Sequence, residues 1–297
     1  MSNDTKHNDA DVGTTGHEWD GIEELNNPMP RWWVWCFYLT IIWGIGYAIA
    51  YPAWPLINGA TKGLLGYSTR AEVARDIARV DAANADLVDR LTTVDLTTIR
   101  DDAELHGFAV NAGASIFAAN CSQCHGRGAA GVQAGGYPNL LDDAWLWGGE
   151  IEDIAFTVTH GIRNEQSPDS RYSQMPAFGK DGLLMDEEIE SLAHFVLSLS
   201  GRDHDADLAS AGAPLFMDNC AACHGDAGEG MIEIGAPNLS DAIWLYGGSF
   251  DDITTSIHNA RFGVMPAWAE EFRAAGGLTP AEVNAVAAYV HQLGSTQ

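Results

Sequence analysis

The amino-acid sequence predicts a mainly α-helical protein, with one transmembrane helix near its N-terminus followed by two similar domains in tandem. Three observations predict this architecture: a long uncharged apolar run, an internal repeat after it, and apolar spacings of three and four residues within the repeat. A chain of 297 residues also has the length expected for about two domains.

The apolar run begins at Trp32 and contains neither a charged residue nor a histidine before Lys62. Its first twenty residues would rise about 30 Å as a helix, which matches the hydrocarbon thickness of a bilayer. Aromatic residues at both ends suit the membrane interfaces, and Pro52 is expected to end the helix. We therefore predict a membrane anchor over 32–54, preceded by a leader over 1–31.

Two other interpretations of this run are weaker. A buried core helix of this length would rarely be so uniformly apolar. A cleaved signal peptide would need a short basic leader before a small-residue site, which Ala48-Ile49-Ala50 imitates. The leader is instead long, and it carries seven acidic residues against Lys6 and Arg31. An uncleaved single span is therefore favoured.

The segment 55–110 is predicted to be a linker that contains an amphipathic helix from about Thr69 to Leu91. Thr69 and Glu72 have the spacing of a capping box. The apolar stripe of this helix would pack either on a partner subunit or on the first domain, and both alternatives stay open. The stripe consists of Val73, Ile77, Val80, Ala83, Leu87 and Leu91. In the leader, three apolar residues also have the spacing of one helical face: Trp19, Ile22 and Leu25.

The internal repeat relates two halves of the remaining chain. FAANCSQCHG at Phe117 matches FMDNCAACHG at Phe216, and YPNLLDDAWLWGG matches APNLSDAIWLYGG at the same offset. Each half later contains Met-Pro-Ala and closes on an amphipathic helical pattern, EIESLAHFVLSLSG in the first and AEVNAVAAYVHQLG in the second. We therefore predict a first domain over 111–200 and a second over 208–297, separated by a short polar stretch.

Each half carries one C-x-x-C-H motif, which is a c-type haem attachment signature. One helical turn presents both thiols to the haem vinyl groups, and the adjacent imidazole points at the iron. The motif predicts two covalently bound haems c, and hence two tandem cytochrome c domains. The cysteines are Cys121, Cys124, Cys220 and Cys223, and the histidines are His125 and His224.

A zinc site and a redox dithiol are the alternatives for the paired cysteines. Zinc would need a second ligand pair at regular spacing, and none follows within either half. A zinc ion shared by the two pairs would leave the repeat unexplained. A redox dithiol would need a preceding strand, and the sequence shows no strand pattern there.

Methionines predict the sixth ligand of each iron. Met175 and Met265 each lie downstream of a haem motif, in the same repeat context and directly before proline. A thioether opposite an imidazole raises the reduction potential and favours electron transfer. The first loop is longer and contains His160, which is therefore an alternative ligand. Four other histidines are interpreted as surface or packing residues: His194, His204, His258 and His291.

With both axial positions filled, neither iron would activate oxygen, so the chain is predicted to relay electrons without transforming a substrate. Since haem c is attached on the outer face of the bacterial membrane, we expect the C-terminal domains in the periplasm and the leader in the cytoplasm. Arg31 precedes the anchor, whereas Lys62, Arg70 and Arg75 follow it, so the basic residues mildly oppose this orientation. The haem chemistry outweighs that count.

The formal net charge is −26, which excludes nucleic-acid binding through phosphate contacts. Such a surface would attract basic proteins and accelerate their docking. An equally good interpretation is that the acidic residues only keep the surface soluble.

The leader and anchor resemble a known family. HEWDGIEELNNPMPRWWVWCFYLTIIWGIGYAIAYPAWP at His17, GLLGYSTRAE at Gly63 and the WLWGG and WLYGG segments are similar to the dihaem subunit (subunit III) of cbb3-type cytochrome c oxidases. The resemblance extends over almost the whole chain from His17 onward.

This resemblance implies that a donor cytochrome c passes electrons to the two haems. The electrons would then flow through a monohaem cytochrome c subunit to the haem–copper catalytic subunit, which reduces oxygen and pumps protons. It also implies that the four motif cysteines bind haem and that His125, His224, Met175 and Met265 are the axial ligands. A membrane-anchored dihaem shuttle and a cytochrome subunit of a periplasmic dehydrogenase are the alternative functions.

Overall fold

The computed structural model of the chain describes residues 13–294. The chain divides between Ala83 and Asn84 into two compact units, and each is described here by itself. Within residues 13–294, the first unit holds all of the β-strands and the long apolar helix, and the second unit is helical.

The leader forms a β-hairpin, in which β1 (Thr14–Trp19) pairs antiparallel with β2 (Ile22–Leu25). The helical face predicted for Trp19, Ile22 and Leu25 is therefore wrong. Asp20 and Gly21 connect the strands with φ angles of 49° and 84°, values that suit the tight turns of two-residue hairpins. The Asp-Gly pair is the local signal that outweighs the apolar spacing.

Helix α1 extends over Arg31–Ala50, and none of its residues is buried within the chain. Among the described residues it is the one helix long and apolar enough to cross a membrane. Tyr51 leaves the helix in an extended conformation, and Pro52 follows it, as expected for a proline stop. A short hairpin of β3 (Pro55–Leu56) and β4 (Gly59–Ala60) comes next.

The predicted amphipathic helix is confirmed as α2, Thr69–Thr93. Its N-terminal cap differs from the predicted one, because the hydroxyl of Ser68 accepts the hydrogen bond from the backbone N–H of Ala71. The carboxylate of Glu72 accepts a hydrogen bond from the hydroxyl of Tyr67 instead. The stripe divides along the helix: Val73, Ile77 and Val80 are exposed, whereas Leu87 and Leu91 pack into a core of the second unit.

The second unit contains the remaining helices. They are α3 (Ala103–Ile116), α4 (Ser122–His125), α5 (Ile151–His160), α6 (Asp186–Leu199), α7 (Ala206–Asn219), α8 (Ala221–His224), α9 (Phe250–Asn259) and α10 (Pro280–Gly294). Short 3-10 turns lie at Leu96–Asp101, Gln133–Gly135 and Ile232–Ile234, and a π-helical turn lies at Phe117–Cys121. Asp102 and Asp205 cap α3 and α7 by accepting hydrogen bonds from the first backbone N–H groups.

Two hydrophobic cores organise this unit, and each combines helices from both halves of the repeat. The first core joins α3 and α5 to α10, which closes the second half. The second core joins α7 and α9 to α6, which closes the first half. The packing is tight in both, since a Cβ atom on Gly113 or on Gly212 would lie 2.2 Å from a backbone oxygen of the closing helix.

The closing helices are thus exchanged between the halves. Because only residues 200–205 separate α6 from α7, these consecutive helices pack together, as neighbours in sequence usually do. Helix α10 then covers the equivalent surface of α3. The boundaries 111–200 and 208–297 describe the sequence repeat, but the two cores do not follow them.

Candidate haem-binding sites

The first C-x-x-C-H motif lies at the end of α3. The π-helical turn Phe117–Cys121 widens the helix just before Cys121, and α4 then carries Cys124 and His125 through one helical turn. Nδ1 of His125 lies 3.2 Å from the carbonyl oxygen of Pro138. Since that hydrogen bond occupies Nδ1, the imidazole keeps Nε2 for a metal ion.

The second motif repeats this geometry. Helix α8 carries Cys223 and His224 directly after Cys220, and Nδ1 of His224 lies 3.0 Å from the carbonyl oxygen of Pro237. The two proline carbonyls occupy the same offset from their histidines, and His224 is buried. The chain therefore builds the same half-site twice.

The electrostatics of both half-sites favour neutral groups. Burial raises the pKa of the Cys121 and Cys220 thiols to about 11, with a smaller contribution from the neighbouring cysteine. Burial also lowers the pKa of His125 and His224, although the proline carbonyls partly offset it. None of the five cysteines forms a disulfide. The site thus offers neutral imidazoles and protonated thiols, the reactants for thioether bonds to vinyl groups.

The methionines lie with the motif of the opposite half. Met265 and Cys121 both pack against the first core, whereas Met175 and Cys220 both pack against the second core. Backbone hydrogen bonds fix this crossing: the N–H of Trp268 donates to the Val158 carbonyl at 2.9 Å, and the N–H of Phe178 donates to the Ile257 carbonyl at 3.1 Å. Each Met-Pro-Ala loop therefore lies against the same opposite half as the closing helix that follows it. The repeat in the sequence contains no signal of the crossing.

Three family models match the chain. "N-terminal domain of cytochrome oxidase-cbb3, FixP" matches residues 11–58. "Cytochrome C oxidase, cbb3-type, subunit III" matches residues 108–196, and "Cytochrome c" matches residues 209–294.

Known relatives align with the chain over nearly its full length. It is 58% identical over 290 residues to the cbb3-type cytochrome c oxidase subunit CcoP of Cereibacter sphaeroides, covering 98% of this chain and 97% of that protein. It is 50% identical over 293 residues to CcoP of Rhodobacter capsulatus, covering 97% of each. Identity to the subunit FixP of Sinorhizobium medicae is 48% over 296 residues, with 99% of each covered. The chain belongs to the CcoP/FixP family of cbb3-type cytochrome c oxidase subunits.

Membership of the CcoP/FixP family confirms the predicted fold class and cofactors. The chain has a candidate N-terminal membrane helix and two cytochrome c domains, and these domains imply two covalently bound haems c.

One buried polar atom supports haem binding by this CcoP/FixP chain. Nε1 of Trp244 is buried and has no hydrogen-bond partner among the described residues. Trp244 packs against the second core, as Cys220 and Met175 also do. Because buried N–H groups almost always have an acceptor, this one fits a carboxylate that the polypeptide does not supply, such as a haem propionate.

The two W-L-x-G-G segments also cross between the halves. The indole of Trp147 lies against Gly235 beside the second motif, and the ring of Tyr246 lies against Gly136 beside the first. An arginine stacks over each ring: the guanidinium of Arg171 is 5.6 Å from the Trp147 ring centre. That of Arg261 is correspondingly 5.8 Å from the Tyr246 ring centre. A matched pair of aromatic contacts thus joins the haem-motif loop of each half to the W-L-x-G-G segment of the other.

His160, the alternative ligand, takes part in packing. Its Nδ1 lies 2.9 Å from the hydroxyl of buried Ser167, and its ring contacts Phe156 and Phe272. The other predicted packing histidines have polar neighbours of their own. Nδ1 of His194 accepts from a backbone N–H, and the Nδ1 atoms of His204, His258 and His291 lie near Arg202, Asn259 and Arg100.

Proposed function

We propose that this subunit is the electron entry of a cbb3-type oxidase: it accepts electrons from a donor cytochrome c and passes them to the monohaem cytochrome c subunit and then to the haem–copper subunit. Two half-sites, each with paired thiols and an imidazole oriented through Nδ1, carry the proposal. In this proposal oxygen reduction belongs to the haem–copper partner.

The first haem would be held by Cys121, Cys124 and His125, with Met265 of the opposite half as its sixth ligand. The second haem would be held by Cys220, Cys223 and His224, with Met175 as its sixth ligand. The packing of Met265 and Met175 against the cores of the opposite halves supports this crossed arrangement. When bound, each haem would supply one-electron redox chemistry, and a methionine thioether among its ligands would raise its potential.

The chain's own residues prepare these sites. The carbonyls of Pro138 and Pro237 accept from Nδ1–H, which fixes the tautomer and directs Nε2 toward the iron. Trp147 and Tyr246 each lie against a glycine of the opposite half, and Trp147 is buried there. A low-dielectric boundary of this kind favours electron transfer between fixed sites, since little solvent has to reorganise.

Membrane attachment follows from α1, whose surface is left uncovered by the chain and suits lipid. In the proposed orientation the leader lies in the cytoplasm and both haem domains lie in the periplasm of a bacterial inner membrane. The acidic composition supports docking of a basic donor cytochrome there.

Purification of the native protein from detergent-solubilised membranes tests the proposal. Co-purified haem b and copper, together with two thioether-linked haems per chain, are expected. A quinoprotein or flavoprotein partner would instead indicate a dehydrogenase subunit. Recovery of the chain without any partner would indicate a free dihaem shuttle.

A further inference from the structure

The first half contains a loop that has no counterpart in the second. RYSQMPA at Arg171 matches RFGVMPA at Arg261, and both arginines make the same contacts, to the Asp153 carboxylate at 3.0 Å and to the Asp252 carboxylate at 3.9 Å. With these arginines aligned, the extra residues of the longer first loop lie at 162–170. This segment is called the inserted loop.

The inserted loop is closed by its own hydrogen bonds. Its ends meet where the N–H of Arg171 donates to the Gly161 carbonyl at 3.2 Å and the N–H of Arg163 donates to the Arg171 carbonyl at 2.7 Å. The buried hydroxyl of Ser167, within the loop, is hydrogen-bonded to Nδ1 of His160 at the end of α5. A loop with joined ends and a buried side chain keeps one shape, so it can hold a neighbour in place.

The neighbour that it holds is Met265. The N–H of Ile162 donates to the carbonyl of Met265 at 2.9 Å, and the N–H of Met265 donates back to the carbonyl of Ile162 at 3.0 Å. Gly161 permits this approach, because a Cβ atom there would lie 2.4 Å from the Met265 carbonyl oxygen. Within residues 13–294 Met175 has no equivalent backbone bridge, and it borders a cavity of about 310 Å³.

Arg163 extends the restraint to both methionine loops. Its Nε donates to the carbonyl of Gly263 at 2.7 Å, and its Nη1 donates to the carbonyl of Ser173 at 2.6 Å. These carbonyls belong to the residues two positions before Met265 and Met175. A guanidinium holds two acceptors in a fixed fork, and hydrogen bonds from a charged donor are stronger than neutral ones.

We propose that Arg163 is a positioning residue that ties the two axial-methionine loops together, with the inserted loop as its base. This inference rests on the proposed crossed ligation. Because the Ile162 bridge holds Met265 whether or not the Arg163 guanidinium is present, the Met175–iron bond depends on Arg163 more strongly. Loss of Arg163 would let Met175 leave its iron more often, and an external ligand would then bind.

Carbon monoxide binding to the reduced, haem-loaded, full-length chain in detergent tests the inference. Met175→His and Met265→His backgrounds each block one iron, so that the other is observed alone. In the Met265→His background, Arg163→Met should raise the rate of carbon monoxide binding at least about tenfold and weaken the far-red methionine–iron band of the oxidised protein. In the Met175→His background the rise should be smaller, because Ile162 still holds Met265.

Arg75→Met is the matched control, since it removes the same charge from an exposed position on α2 and should change neither readout. Arg163→Lys keeps the charge but lacks the fork, so a smaller rise than that of Arg163→Met is expected. If Arg163→Met does not accumulate, Arg163→Lys decides the question by itself. Unchanged band and rate in the Arg163 variant would overturn the inference.

The two proposals fail differently in this experiment. If Met265→His leaves the methionine signature of the parent chain unchanged, then Met265 is not a ligand and the crossed ligation is wrong. If each histidine variant removes one methionine signature but the Arg163 variants behave as the parent, only the role of Arg163 is wrong.

Discussion

The indole of Trp147 occupies the space in which any residue other than glycine at position 235 would place its side chain. A Cβ atom on Gly235 would lie 2.2 Å from Cε2 of Trp147, and one on Gly136 would lie 2.3 Å from Cε1 of Tyr246. These two contacts relate the haem-motif loop of each half to the aromatic segment of the other. The halves are therefore joined by their functional loops as well as by their exchanged helices.

Gly235→Ala should lower the free energy of unfolding by more than the backbone strain at this position alone would. Gly235 has a φ of +63°, and a non-glycine residue in this region costs about 1–2 kcal/mol. Displacement of Trp147 should add about 1–3 kcal/mol, the usual cost of overpacking. Urea unfolding of the haem-loaded chain measures the difference. Gly201→Ala is the control, because Gly201 has a φ of +66° with no atom near its Cβ position. Equal losses in the two variants would contradict the contact.

Trp244→Phe should lower the midpoint potential of one haem by roughly 30–60 mV. The variant keeps the ring but removes the buried N–H, and a hydrogen bond worth about 1 kcal/mol corresponds to a shift of that order for one electron. Loss of the donor leaves more negative charge near the iron, which favours the oxidised state. A redox titration measures the shift, with Trp19→Phe in the exposed hairpin as control. An unchanged titration would mean that the N–H has no haem acceptor.

Asp102→Ala should destabilise the chain at neutral pH but not in acid. The N–H of Leu105 and then Arg90 lower the pKa of Asp102, so its contribution is present above the ordinary carboxyl pKa. It is lost as the pH falls through the lowered value in the folded chain. The melting temperatures of the parent and the variant should therefore become equal as the pH is lowered toward about 2. Asp101→Ala is the exposed neighbouring control, and a difference that persists in acid would contradict the cap.

Reduction of the complex by a basic donor cytochrome c should slow as salt is added. At the formal charge of −26, attraction accelerates the encounter, and ions screen it over about 10 Å at 0.1 M. Stopped-flow rates at increasing ionic strength measure the effect, with a neutral small-molecule reductant as control. A rate independent of salt would indicate that the acidic residues serve solubility alone.

The sequence predicted those features that local patterns encode. The C-x-x-C-H spacing places Cys121 and His125 on one turn, and steps of three and four bury Ile189 and Leu192 of α6. Two predictions were wrong because a competing local signal outweighed the pattern used. Asp20-Gly21 turns the leader into a hairpin, and Ser68 rather than Thr69 caps α2. The exchange of helices was not predictable, because a repeat has the same pattern whichever half receives α10.

The family resemblance implied which methionines are axial ligands, but not which haem motif each methionine serves. Met175 and Met265 occupy equivalent positions in the repeat, so their order in the chain suggests that each serves the motif before it. The packing of Trp268 on α5 and of Phe178 on α9 supports the proposed crossed assignment instead. The role of Arg163 was likewise not predictable, because its two acceptors, the carbonyls of Ser173 and Gly263, are brought together only by the fold.

An experimental structure of the haem-loaded chain, at a resolution that shows the axial ligands, tests the central claim most directly. The account predicts that the iron bound by His125 has the sulfur of Met265 as its sixth ligand, and that the iron bound by His224 has the sulfur of Met175. Methionine from the same half at either iron would contradict it.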